Sequence, residues 1–146
     1  MESPNPYAPP ASSTGVADLP LGEERLNALD VSPKWKERFI AIFHAGGSKL
    51  PNFKQLSKHE RRKALSLNFL AFFFGPIYYV AKGMWKRGLV YFVLGALAIV
   101  TAGLIFEHFG FGTIARSLHF GLAAFYGLRA NIDFYKKMVE GNNGWW

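Results

Sequence analysis

At 146 residues, half of them hydrophobic, the chain has room for one domain and too little length left for a separate soluble catalytic core. It contains no Cys, which excludes disulfides, thiol catalysis and thiolate metal sites. The formal charge of +7 is unevenly spread: residues 1–30 carry one Arg against five acids (net −4), residues 31–87 twelve Lys or Arg against Glu37 and Glu60 (net +10), and residues 88–146 four against three (net +1). A basic excess of this kind invites a nucleic-acid reading, but it hugs the apolar runs and comes with no recognition motif, so no nucleic-acid partner is expected.

Residues 1–30 read as a tail. Over 1–21 the acidic, Pro-, Ser- and Ala-rich composition is too poor in apolar residues to order itself, and it lacks the basic and apolar regions of a signal peptide. A short helix is expected within 22–29. Residues 31–63 form a basic, helical, cytoplasmic region. Ser32-Pro33 reads as an N-cap with Pro at the first helical position and Gly46-Gly47 as the stop, which predicts a helix over 33–45. Trp35, Phe39, Ile42 and Phe43 fall on one face of it, with Lys34, Lys36, Glu37 and Arg38 on the others. That face is expected to pack on the chain's own core, with the membrane surface as the alternative. Gly46-Gly47-Ser48-Lys49 lacks the spacing of a phosphate loop, and no strand precedes it.

Ser57-Lys58-His59-Glu60 is a capping box, so a helix should start at Lys58, basic through Lys63 and apolar from Ala64 to Phe74. Gly75-Pro76 breaks it. The eleven apolar residues before the break span roughly 16 Å, about half of a hydrocarbon core. Residues 64–87 therefore read as a re-entrant hairpin that returns to Lys82, Lys86 and Arg87. A full crossing would place the two basic clusters on opposite faces, against the positive-inside rule. Residues 88–106, free of formal charge, then cross outward over about 29 Å. The 107–112 loop has no Lys or Arg, and 113–130 cross back. Residues 131–146 continue as a cytoplasmic helix and tail, with Arg129 and Asp133 at i, i+4, Gly141 as the stop and Trp145-Trp146 at the interface.

The expected fold is thus an all-α integral membrane protein: an amphipathic cytoplasmic helix, a Gly-Pro-broken re-entrant hairpin and two transmembrane helices, with both termini inside. Three full crossings are the alternative. Gly95, Ile99 and Gly103 on one crossing, and Ala115, His119, Ala123 and Gly127 on the next, give small-residue faces for an antiparallel pair; contacts in a homo-oligomer would look identical.

No acid–base pair, nucleophile or metal-ligand cluster can be named, and His44, His59 and His108 are too scattered to suggest one, so neither an enzyme nor a cofactor or metal is expected. Lys58, Arg61, Arg62, Lys63, Lys82, Lys86 and Arg87 are candidates for contact with anionic lipid or a protein partner. Glu107, Arg116 and His119 form a candidate intramembrane polar site, although snorkelling of Arg116 and simple packing of His119 are the plainer readings.

The run Leu67-Asn68-Phe69-Leu70-Ala71-Phe72-Phe73-Phe74-Gly75-Pro76-Ile77-Tyr78-Tyr79, followed by Lys82-Gly83-Met84-Trp85-Lys86-Arg87-Gly88-Leu89, resembles the signature of a bacterial inner-membrane family, domain of unknown function 2628. The resemblance extends from about Trp35 through Ala130-Asn131 to the Glu140–Trp145 tail. It implies a small bacterial inner-membrane protein and carries no activity or functional residue with it. The expected function is a non-enzymatic module that binds lipid or a membrane or cytoplasmic protein. A small transporter or channel subunit, and an immunity protein against a toxin acting in the bilayer, are the alternatives.

Overall fold

The computed structural model describes residues 18–145, and every regular element among them is helical. In chain order these are α1 (Asp18–Ala28), α2 (Pro33–His44), a 3-10 turn (Phe53–Gln55), α3 (Lys58–Ala64), α4 (Phe69–Phe74), α5 (Pro76–Ala81), α6 (Trp85–His108) and α7 (Gly112–Met138). Residues 18–28 therefore belong to the folded body and not to a tail extending to residue 30. The rest of the expected tail, and Trp146, lie outside the described residues.

The local signals act as their chemistry requires. Pro33 opens α2, and Gly46 and Gly47, at φ +89° and +88°, close it by donating to Phe43 O and Ile42 O. At α3 both halves of the capping box form: Ser57 Oγ accepts from the Glu60 amide, and the Glu60 carboxylate accepts from the Ser57 amide. One expectation fails, because the helix that starts at Lys58 does not run on to Phe74. It stops at Ala64, and a second helix starts at Phe69, capped by Asn68, whose Oδ1 accepts from the Ala71 amide. At Gly75 the backbone turns back with φ +45° and ψ −117°, a conformation open to glycine, and Pro76 begins α5.

Two long helices dominate the shape. At 1.5 Å per residue α6 extends about 36 Å and α7 about 40 Å, joined by a short turn into an antiparallel hairpin. They are in close contact at Gly95, where an added Cβ would lie 2.4 Å from Leu122 Cδ1. At Gly103, eight residues on, an added Cβ would meet nothing within 4 Å. Gly127 serves a different contact, against Leu67 and Phe72 of the α4 region. Gly88 lets α5 close onto α6, with Tyr79 Cβ 2.7 Å from where its own Cβ would stand.

The core sits at one end of this hairpin. The α2 stripe packs on the C-terminal half of α7: Trp35 meets Phe134 edge-on at 4.7 Å, and Phe39 lies 5.7 Å from Phe134 and 5.6 Å from Tyr135. Phe39 and Ile42 are wholly buried, each contributing about 2 kcal/mol of hydrophobic stabilisation. Beyond that end the hairpin continues as an apolar rod. Trp85–His108 is long and apolar enough to cross a membrane, and nothing in its most apolar eighteen residues is buried.

Candidate functional site

At the packed end, polar side chains are buried among aromatic ones. Asn68, Arg87, Asn131 and Asp133 are all at most 5% exposed. The Asp133 carboxylate accepts from Tyr79 Oη at 2.9 Å, Tyr91 Oη at 3.1 Å and Arg129 at 3.4 Å, the last being the i, i+4 pair legible in the sequence. Arg87 donates to Asp133 O at 3.0 Å and to Asn142 O and Oδ1, both at 2.8 Å, fastening the C-terminal segment to α6. Asn131 donates to Ser66 O and accepts from Asn68 Nδ2, while the same Asn68 amide reaches Tyr78 Oη. Tyr126 Oη donates to Gly88 O. Each of these groups satisfies another, as burial demands, and together they lock α4, α5, α6, α7 and the tail into one arrangement.

Around this core lies a basic surface. Arg38 lines two clefts, one shared with Lys34, Glu37, His59 and Arg62, the other with Trp35, Asn68, Phe69 and Lys82. Its guanidinium carbon is 5.0 Å from the Trp35 ring centroid, and it also reaches Asn131 Oδ1 at 3.5 Å. Lys82 Nζ sits 4.9 Å from the Phe134 centroid and 5.7 Å from that of Trp35.

The basic residues singled out in the sequence have unlike fates. Lys58 and Arg62 are exposed. Lys63 pairs with Glu37 at 3.0 Å, which holds the Glu37 carboxyl below its ordinary value. Arg61 donates to Leu56 O and Lys54 O, so its guanidinium braces the preceding turn. Lys86 lies over Trp145, whose ring packs on Trp85 at 5.7 Å. Arg87 is wholly buried and offers no surface contact at all. Adjacent in sequence, Lys86 and Arg87 point in different directions, because successive residues of α6, which begins at Trp85, are rotated by about 100° around its axis.

The structure does not gather the three polar residues of the rod into one site. Glu107 and Arg116 line a shared groove at its far end, yet among the described residues no ion pair joins them. His119 lies in a separate groove beside Phe73, Pro76 and Tyr126, its ring 4.1 Å from that of Phe120. All three are exposed.

Sequence reasoning missed His44. Its Nδ1 meets Glu60 Oε1 at 2.8 Å and its Nε2 meets Glu23 Oε1 at 2.6 Å, so one imidazole ties α1 and α3 to the end of α2. The Glu60 hydrogen bond raises the His44 pKa, while Ser57 foremost, with His44, holds the Glu60 carboxyl down at about 2. Because the carboxylates sit on opposite ring nitrogens, this is an ion-pair clamp and not a metal site. The partners lie 21 and 16 residues away, so no local spacing announced it. Asn68 did leave a signal: an Asn ahead of an aromatic run is an N-cap.

No solved structure matches the chain. It is 32% identical over 132 residues to the uncharacterized protein YigF of Salmonella typhimurium, covering 86% of this chain and 98% of that protein. It is 30% identical, with the same coverage, to the uncharacterized protein YigF of Escherichia coli K12. The family model described as protein of unknown function (DUF2628) matches residues 31–139, which takes in α2 to α7 and the buried polar network, and the chain belongs to that family.

Proposed function

We propose that the chain is a multi-pass protein of the bacterial inner membrane that binds lipid or a protein partner through its basic end, without catalysing a reaction. The observation that carries this reading is the division of one helical hairpin into two surfaces. Between Arg87 and Arg129 the only formal charges are Glu107 and Arg116. Along that stretch Leu97, Val100, Leu104 and Phe120 are each at least 60% exposed. An apolar surface this continuous is unfavourable in water and favourable in hydrocarbon. A soluble core helix of the same composition would be mostly buried, and α6 is not.

The short hairpin adds to it. Six-residue α4 and α5 each rise about 9 Å, and Phe73, Phe74 and Ile77 at the tip are 73%, 55% and 70% exposed. That supports re-entry to a partial depth, with α6 and α7 crossing and the basic end at the cytoplasmic surface. The non-catalytic part of the reading is supported by the buried polar groups, which are engaged with one another.

Single Cys residues at Ser48, Gly83, Gly110 and Gly144, labelled in intact cells by an impermeant thiol reagent, test the topology. Labelling at position 110 alone is the expected result. Labelling at 83 and 144 but not at 110 would mean three crossings and overturn the re-entrant hairpin.

A further inference from the structure

We propose that the groove between α2 and the α4–α5 hairpin is a binding site for one anionic phospholipid. The inference rests on the membrane reading above and names the ligand of its basic end. Trp35, Arg38, Asn68, Phe69, Leu70 and Lys82 form the groove, and its two sides differ in chemistry. On one side stand Arg38 and Lys82, both beside the Trp35 ring, at 5.0 and 5.7 Å from its centroid. Among the described residues neither has a carboxylate within ion-pair distance, whereas Lys63 in the adjoining cleft is matched to Glu37. On the other side Phe69 and Leu70 are 67% and 60% exposed, and Phe73, one turn further along α4, continues the apolar face at 73%.

Two uncompensated cations beside an exposed hydrocarbon-like wall match a phosphodiester joined to an acyl chain. A guanidinium offers a fork of donors to phosphate oxygens, and an ammonium adds a compact charge. The groove has no Asp or Glu to receive the ammonium of a zwitterionic headgroup, so it favours a lipid with net negative charge. Asn68 joins this surface to the interior, because its amide also holds Tyr78 and Asn131. The groove's shape is therefore set by the folded core before any lipid arrives, which lowers the ordering cost of binding. Indole at the boundary between polar and apolar walls is where aromatic residues sit at a membrane interface.

The test is native mass spectrometry of the full-length protein in mild detergent, titrated with phosphatidylglycerol or phosphatidylcholine. Wild type should retain one phosphatidylglycerol and discriminate against phosphatidylcholine. Lys82→Gln should weaken retention several-fold, and R38Q/K82Q by roughly ten- to thirtyfold. The K49Q/K54Q protein, which loses the same charge at two exposed positions outside both clefts, should bind as wild type does. Should R38Q/K82Q fail to fold through loss of the Asn131 contact, Lys82→Gln decides, since among the described residues its ammonium makes ring contacts and no ion pair, and its loss should lower the melting temperature by only a few degrees. Equal retention of the two lipids, or equal loss in K49Q/K54Q, would mean diffuse surface charge and overturn the site. Displacement by glycerol 3-phosphate as effective as by the lipid would overturn the lipid assignment. Failure of the membrane reading shows separately, as release of the protein from native membranes by alkaline carbonate.

Discussion

The two ends of the α6–α7 hairpin are built from the same helices and obey opposite rules. At the packed end Arg87, Asn131 and Asp133 are buried and Lys82 stands at the surface over aromatic rings. Along the rod Leu97, Val100 and Leu104 point outward, and a Cβ added at Gly103 would meet nothing within 4 Å. Helicity is common to both, because backbone hydrogen bonds within a helix are indifferent to what surrounds it. What differs, on the proposed membrane reading, is the surroundings each half suits. The packed end buries apolar and polar groups together, as a protein core in contact with water does, while the rod keeps its apolar atoms outside, as a segment in hydrocarbon must.

Asp133→Ala should break the packed end hardest. It strips Tyr79, Tyr91 and Arg129 of a shared acceptor in a buried place, and should cost about 3–5 kcal/mol in an unfolding titration. Asp133→Asn, which keeps an acceptor, should cost less. Gly75→Ala comes next, at about 1–3 kcal/mol. An added Cβ there would sit 3.5 Å from the Tyr126 ring, ordinary contact, so the cost arises from the backbone at φ +45° and not from crowding. If Gly75→Ala leaves the melting temperature unchanged, the hairpin turn is not held as described.

A sharper form of the comparison sets Gly95→Ala against Gly103→Ala. The first must displace Leu122 and should destabilise by about 1 kcal/mol. The second meets nothing and should be neutral or stabilising by up to about 1 kcal/mol, from helix propensity alone. Equal effects would mean that the helices stay in contact as far as the tip.

The smallest effect concerns pH. His44 has a folded pKa raised above 6.5, so its contribution is complete below 6.5 and disappears as pH rises through the folded value. Glu60, held down at about 2 from 4.5, contributes above 4.5 and loses that contribution as pH falls toward 2. The clamp is therefore strongest between those limits. Its groups are partly exposed, so solvent screens the pairs and keeps their contribution small. The gap in melting temperature between wild type and His44→Gln should be larger near about pH 5.5 than near about pH 8.5; a gap that widens with pH would show that the ion pairs are not its source.

The sequence by itself determined whatever depends on near neighbours in the chain. Ser57 and Glu60 are three residues apart, Gly75-Pro76 is one dipeptide and Gly46-Gly47 another, so caps, break and stop were legible, as was the α2 stripe from its helical spacing. The Arg129 and Asp133 pair was legible for the same reason. Tertiary structure alone decided the rest. It ended α3 at Ala64, because the Asn68 amide hydrogen-bonds Gly127 O from α7 and its side chain caps a separate helix. It divided Lys86 from Arg87, sending one to the surface and the other into the core toward Asn142, 55 residues away. It also placed Arg38 and Lys82 around one indole, and His44 between Glu23 and Glu60. The physical reason is that capping and amphipathic periodicity are read within a turn or two of helix, whereas burial of a charge depends on partners that only the folded chain brings within hydrogen-bond distance.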